Sequence, residues 1–198
     1  MEHNPYQPPL AELSSNFPTI SETLPFYIVS KRKFLLLTIL TFGSYFLYWF
    51  YAHWKYQQAT HNENIWPVAR GIFSVFFVYS LYQRITDELE NRQVTYRWSY
   101  GVLAWVYIIF SIIGSILDQF DYQSDISILT LFSLLTLIPT AWSVLQAQKA
   151  ANMACADPDG TQNNRLTWAN WIWIGIGSII WVGMLINVPT IIMSPDDF

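Results

Sequence analysis

Five apolar runs of near-membrane length constrain this chain more than any other feature of it. A spanning helix needs about 20 mostly apolar residues to cross a hydrocarbon layer of about 30 Å. The first run, FLLLTILTFGSYFLYWFYAHW at residues 34–54, follows Lys31-Arg32-Lys33 and meets that length. Residues 99–117, 126–146 and 168–188 meet it too. Residues 66–83 are weaker, because the apolar core WPVARGIFSVFFVYSL is short and carries Arg70. The pattern predicts an all-α polytopic transmembrane bundle of five spans, at about 34–54, 66–83, 99–117, 126–146 and 168–188. In this reading residues 31–190 form the transmembrane domain. Residues 1–30 form a flexible, polar, proline-rich tail, and residues 191–198 a short acidic one.

Composition agrees. Of 198 residues, 53% are hydrophobic, 18% aromatic and 12% charged, the last about half the usual share. An ordinary soluble domain, a disordered chain, a collagen and a disulfide scaffold are all excluded. Cys155 is the single cysteine, so neither an intrachain disulfide nor a cysteine-based metal site is available. A net charge of −4 argues against nucleic acid as a partner, since phosphate binding needs a concentrated basic surface. Residues 1–30 carry five prolines and no apolar run, unlike a secretory signal peptide. Pro8-Pro9 favours extended backbone, and Phe26, Tyr27 and Ile28 offer a short interfacial contact.

Lys and Arg accumulate on the cytoplasmic side of a membrane. With five spans and the N-terminus inside, that side holds Lys31, Arg32, Lys33, Arg84, Arg92, Arg97, Lys149 and Arg165, eight of the ten. Lys55 falls outside and Arg70 within the second span. Asp118, Asp121 and Asp125 fall in the outer loop, and Asp196-Asp197 in the outer tail. The expectation is therefore a cytoplasmic N-terminus and an external C-terminus. Tyr45, Tyr48, Trp49, Tyr51 and Trp54 then read as an outer aromatic belt, with Trp66 opening the second span. Tyr96, Trp98, Tyr100, Trp168, Trp171 and Trp173 read as an inner belt. One other topology stays open. Gly43 can break the first run and Pro67 can open a short second helix, so that the first two apolar segments dip in and return. Such backbone must be buried or face a water-filled cavity.

Arg70 is the one strongly basic side chain inside an apparent span, which makes it the candidate contact for an anion or a lipid headgroup. The simpler reading is snorkelling to the interface or pairing with Glu63. His53 and His61 stand eight residues apart, a spacing that does not match an i,i+4 metal pair. Asp157-Pro158-Asp159-Gly160 is a strong turn signal. It departs from a calcium loop, which needs Gly at its sixth place and Glu at its twelfth. Thr167 stands where it can cap the last helix. Ser111-Ile-Ile-Gly-Ser115 and the glycines at 175, 177 and 183 suit close helix packing, within the chain or between copies. No motif for nucleophilic, metal-dependent or phosphate-binding chemistry occurs, so no catalytic residue, metal ligand or cofactor is expected.

The string VSKRKFLLLTILTFGSYFLYWFYAHW, with IWPVARGIFSVFF and AANMACADPDGTQNNRLTWANW, resembles a family of small bacterial multi-pass membrane proteins of unknown function. Their first helix shows a KF–apolar–G-x-Y-x-x-YW-x-Y pattern. The resemblance implies a location in the bacterial inner membrane and supplies no activity. The function expected is a non-enzymatic integral membrane protein, in contact with the lipid bilayer and with other membrane proteins or itself. The alternative is a small transporter or channel subunit with a polar pathway near Arg70.

Overall fold

The computed structural model describes residues 24–120 and 128–192. These hold seven α-helices and no strand, so the chain is all-α. The helices are α1 (Lys31–Leu40), α2 (Tyr45–His61), α3 (Pro67–Ile72), α4 (Ser74–Asn91), α5 (Tyr100–Phe120), α6 (Ile128–Ala154) and α7 (Trp168–Ile192). A 3-10 turn at Thr161–Asn163 precedes α7. Tyr100–Gln119 and Leu131–Ala154 are long and apolar enough to cross a membrane, and Trp168–Met184 is a shorter apolar stretch. The expectations for residues 1–23, for Asp121 and Asp125, and for Asp196-Asp197 lie outside the described residues.

Helices α5 and α6 form an antiparallel hairpin. Ser143 Oγ donates to the Leu103 carbonyl at 2.7 Å. Nearer the connection, a Cβ on Gly114 would stand 2.7 Å from Thr136 Oγ1. Small residues permit this approach, so the Ser111–Ser115 pattern serves a seam within the chain.

The run 34–54 is not one helix. Helix α1 stops at Leu40, Phe42 and Gly43 take φ of 51° and 77°, and α2 starts at Tyr45. Glycine adopts positive φ without the steric cost other residues carry. Here a side chain would also strike Leu137 Cδ1, at 2.7 Å from an added Cβ. Thr41 covers the break by donating its hydroxyl to the Leu37 carbonyl and accepting from the Tyr45 amide. The segment 66–83 is broken as well. Pro67 opens α3, where its missing N–H costs nothing, and the chain bends at Phe73 before α4.

Both broken segments double back. Lys33, early in α1, bonds to Asn163 and to the Arg165 carbonyl, just before α7. The Leu40 carbonyl lies against Gly177, and Gly43 against Leu137 in the middle of α6. From there α2 runs back alongside α6, since Trp49 and His53 meet Gln148 and Gln57 meets the Pro25 carbonyl. Helix α3 packs antiparallel on α2, with Gly71 against Leu47 and Tyr51. Helix α4 then descends from Ser74, bonded to Tyr107, to Tyr82, bonded to Ser143. Each hairpin therefore reaches only part of the way along α5–α6. At 1.5 Å per residue, Leu137 is about 18 Å from Lys149.

This geometry gathers all ten Lys and Arg at the end where α5 begins and α6 finishes. Lys55 belongs with the other nine, contrary to the expectation that set it opposite them. Arg70 lies there too, over the Trp54 ring. Asp118 is in the last turn of α5 at the other end. The proposed outer belt also needs correction, because Trp49 and Trp54 are fully buried and Tyr45 is buried with them. Trp66, Trp168, Trp171 and Trp173 are exposed, as membrane-interface anchors would be.

Candidate functional site

The densest polar chemistry lies around residues 24–30, which are core rather than tail. Phe26 and Val29 are fully buried, and Tyr27 and Ile28 nearly so. The segment is extended, so its backbone needs partners outside any helix. Six consecutive carbonyls find them in side chains. Those of Leu24 and Pro25 accept from Thr60 and Gln57 on α2. Phe26 accepts from the Cys155 thiol, and Tyr27 from Gln148. Ile28 accepts from Asn163 and Val29 from Asn152. Gln148 and Asn152, one turn apart on α6, are the hub. The Gln148 carbonyl oxygen accepts from the Trp49 indole and faces His53 Nε2 at 3.3 Å. Its amide also donates to Asn152.

Cys155 sits just past the end of α6 under this strap and is 5% exposed. Burial pushes its thiol up to about 11. Although it lies beside the polar DPDG turn, the single thiol is therefore a buried one. The turn itself is as read. Gly160 has φ of 66°, and Asp157 spends its carboxylate on the Thr161 amide and hydroxyl and on the Gln162 amide. Burial alone would raise the Asp157 carboxyl, but these bonds hold it below its ordinary range. Thr167 and Asn170 cap α7 reciprocally, each side chain accepting the other's amide N–H.

Arg70 does not meet Glu63. Its guanidinium stacks 4.2 Å from the Trp54 ring centroid and 5.2 Å from that of Phe77. Glu63 instead receives both arms of Arg84, at 2.9 and 2.8 Å. That ion pair holds the Glu63 carboxyl below its usual range, through Arg84's hydrogen bonds. His53 is buried against Gln148 and Trp49, and no bond joins it to His61. No group of three His, Cys, Asp or Glu among the described residues could hold a metal ion.

Two cavities flank the α1–α2 break. The larger, about 950 Å³, lies toward the Asp118 end between the turn 42–44 and α5, α6 and α7. Ser111, Ser115, Ser133, Thr136, Thr140 and Asp118 are among its lining residues, and Arg70 is not. Several of its hydroxyls are spent on their own helices, Ser115 on Ser111 and Thr140 on Thr136. The smaller, about 540 Å³, lies toward the basic end between α1–α2 and the start of α7. Lys33, Tyr27, Tyr45, Tyr48, Asn163 and Asn170 line it. No sequence signal marked either cavity, although Gly43 marked the turn between them. No protein-family model, curated protein or solved structure matches the chain.

Proposed function

We propose that the chain is an integral membrane protein in which α5, α6 and α7 cross the bilayer. The hairpins α1–α2 and α3–α4 enter from the basic, cytoplasmic face and return to it. The observation that carries this reading is the apolar surface left open on the three long helices. Val102, Ile109 and Ile116 on α5 are exposed, as are Leu135, Ile138 and Trp142 on α6 and Ile172, Ile179 and Ile186 on α7. A soluble monomer rarely exposes so extended an apolar surface. Collecting all ten basic residues at one end fits the positive-inside rule better than five spans do. An odd number of crossings still leaves the N-terminus cytoplasmic and the C-terminus outside. We place it, with the resemblance, in a bacterial inner membrane.

Its role in this reading is non-enzymatic and rests on contacts with lipid and with neighbouring membrane proteins. Six buried or part-buried polar side chains around the strap are spent on the chain's own backbone, which suits a structural and binding role. A transport role has one observation in its favour. Broken helices that stop near mid-depth beside a cavity are the arrangement transporters use for substrate, and the cavity at Gly43 has that form. Its pathway would then run past Gly43 rather than Arg70.

Reporter fusions test the topology. A reporter active only in the cytoplasm should work when inserted after Asn62, Gln93 or Asp159, and fail between residues 121 and 127. Silence after Asn62 with activity after Gln93 would restore the five-span arrangement and remove the half-depth hairpins.

A further inference from the structure

Lys33 is 3% exposed and lines the 540 Å³ cavity at the basic end. Its ammonium donates to two neutral oxygens, Asn163 Oδ1 at 2.7 Å and the Arg165 carbonyl at 2.8 Å. The ion pairs among the described residues are Arg84–Glu63 and Arg92–Glu88, so no carboxylate neutralises it. Burying a charge without a counter-charge is costly, and a lysine at a membrane boundary is free to snorkel to water instead. This one is held inward by two short bonds, leaving one of its three donors unused.

The surroundings supply what an anion needs. The Tyr45 hydroxyl, buried in the same wall beside that of Tyr27, has no partner within hydrogen-bond distance. The first turn of the 25-residue α7 contributes Ala169 and Asn170 to the lining, and a helix N-terminus carries positive potential. Leu37, Leu47 and Trp173 complete the cavity with apolar surface. Cationic pockets between helices on the cytoplasmic side are suited to phosphate headgroups.

We propose that this cavity is a phosphate-binding site, in which Lys33 and Tyr45 hold the phosphate oxygens of an anionic lipid headgroup. The proposal rests on the membrane reading above and names the lipid class it implies. A soluble phosphate shares the same chemistry, and the test separates the two sources.

The full chain, purified in a non-ionic detergent and stripped of lipid, is melted with added phosphatidylglycerol, phosphatidylcholine or inorganic phosphate. Native mass spectrometry counts bound lipid in parallel. Phosphatidylglycerol should bind at least about tenfold tighter than phosphatidylcholine, a tenfold ratio being about 1.4 kcal/mol, and should raise the melting temperature. Lys33→Gln should abolish that preference and melt no lower than the parent without lipid, because it removes an uncompensated charge. Lys33→Arg should keep the preference. Tyr45→Phe, which preserves shape, should weaken it several-fold and serves if Lys33→Gln fails to fold. Arg32→Gln, at an exposed position, controls for general attraction. Equal protection by millimolar inorganic phosphate, lost in Lys33→Gln, would confirm the site and assign it to a soluble ligand. A preference for phosphatidylglycerol that survives both Lys33→Gln and Tyr45→Phe would overturn the site while leaving the lipid-binding role standing. No preference among the lipids and no effect of phosphate would overturn the site and leave the membrane reading to the reporter fusions.

Discussion

Replacing Gln148 by leucine removes the hub that ties α2, α6 and the buried strap together. The side chain is 1% exposed. Its loss leaves the Trp49 indole N–H, His53 Nε2 and the Tyr27 carbonyl without partners, while Asn152 keeps its bonds to Val29. Each buried polar group left unsatisfied costs about 1–3 kcal/mol, so three predict a loss of about 3–9 kcal/mol. At about 3 °C per kcal/mol for a chain of this size, the middle of that range lowers the melting temperature by roughly 18 °C. The measurement is thermal unfolding of the detergent-solubilised protein, with Gln83→Leu at an exposed position of α4 as the matched control. A second readout is the rate at which a maleimide modifies Cys155, whose thiol is covered by the same strap. Gln148→Leu should speed it and Gln83→Leu should not. A shift below about 2 °C, with unchanged labelling, would show that the amide network does not hold the strap.

In the parent protein Cys155 should resist membrane-permeant maleimide from either face until denaturant is added. With the thiol pushed up to about 11, its labelling rate should keep rising up to pH 10, whereas a free cysteine levels off above about 8.5. The sign for stability follows. Folding favours the protonated thiol, so this contribution is intact below the unfolded value near 8.5 and is lost as pH climbs towards 11; measured stability that instead rises over pH 9–11 would contradict the burial. Gly160→Ala should destabilise strongly, because its φ is 66° and an added Cβ would lie 2.5 Å from the Val29 carbonyl. Gly183→Ala, with nothing within 4 Å of an added Cβ, should be tolerated, and equal melting temperatures for the two would refute this reading. Arg70→Lys keeps a cation over Trp54 and should cost under about 1 kcal/mol, with Arg70→Leu costing about 1 kcal/mol. A loss of phosphatidylglycerol binding in Arg70→Lys would return the anion site to Arg70.

Helices α5 and α7 were legible because each begins where a charged or capping stretch gives way to a long apolar one. The Thr167 cap and the DPDG turn are local chemistry and were readable for the same reason. The breaks at 41–44 and at Phe73 were not, since apolar length reports affinity for lipid and carries no information on chain direction. Gly43 and Pro67 were the visible signs and supported only the alternative topology, because one glycine is compatible with a straight helix and one proline with a helix start. The strap 24–30 was read as tail because prolines and polar residues surround it. It is held through backbone carbonyls, which have no sequence signature, by side chains scattered from Gln57 to Asn163. Two amides one helical turn apart on α6, Gln148 and Asn152, were the available clue. Lys33 looked like one flank charge among three, and only the fold distinguishes it from exposed Lys31 and Arg32.

The strap also sets an order of events during synthesis. Residues 24–30 leave the ribosome before the helices that cover them, and Gln148, Asn152, Cys155 and Asn163, which cap four of their six carbonyls, are made more than a hundred residues later. Until then the α1–α2 hairpin has neither its inner lining nor the Lys33 tether to the segment before α7. Closing such distant contacts is slow, because the entropy of loop closure must be met before the contacts form. The strap is thus translated before its partners and is the last element to settle. A chain truncated before Gln148 should leave the strap open to protease, and completing the chain should protect it.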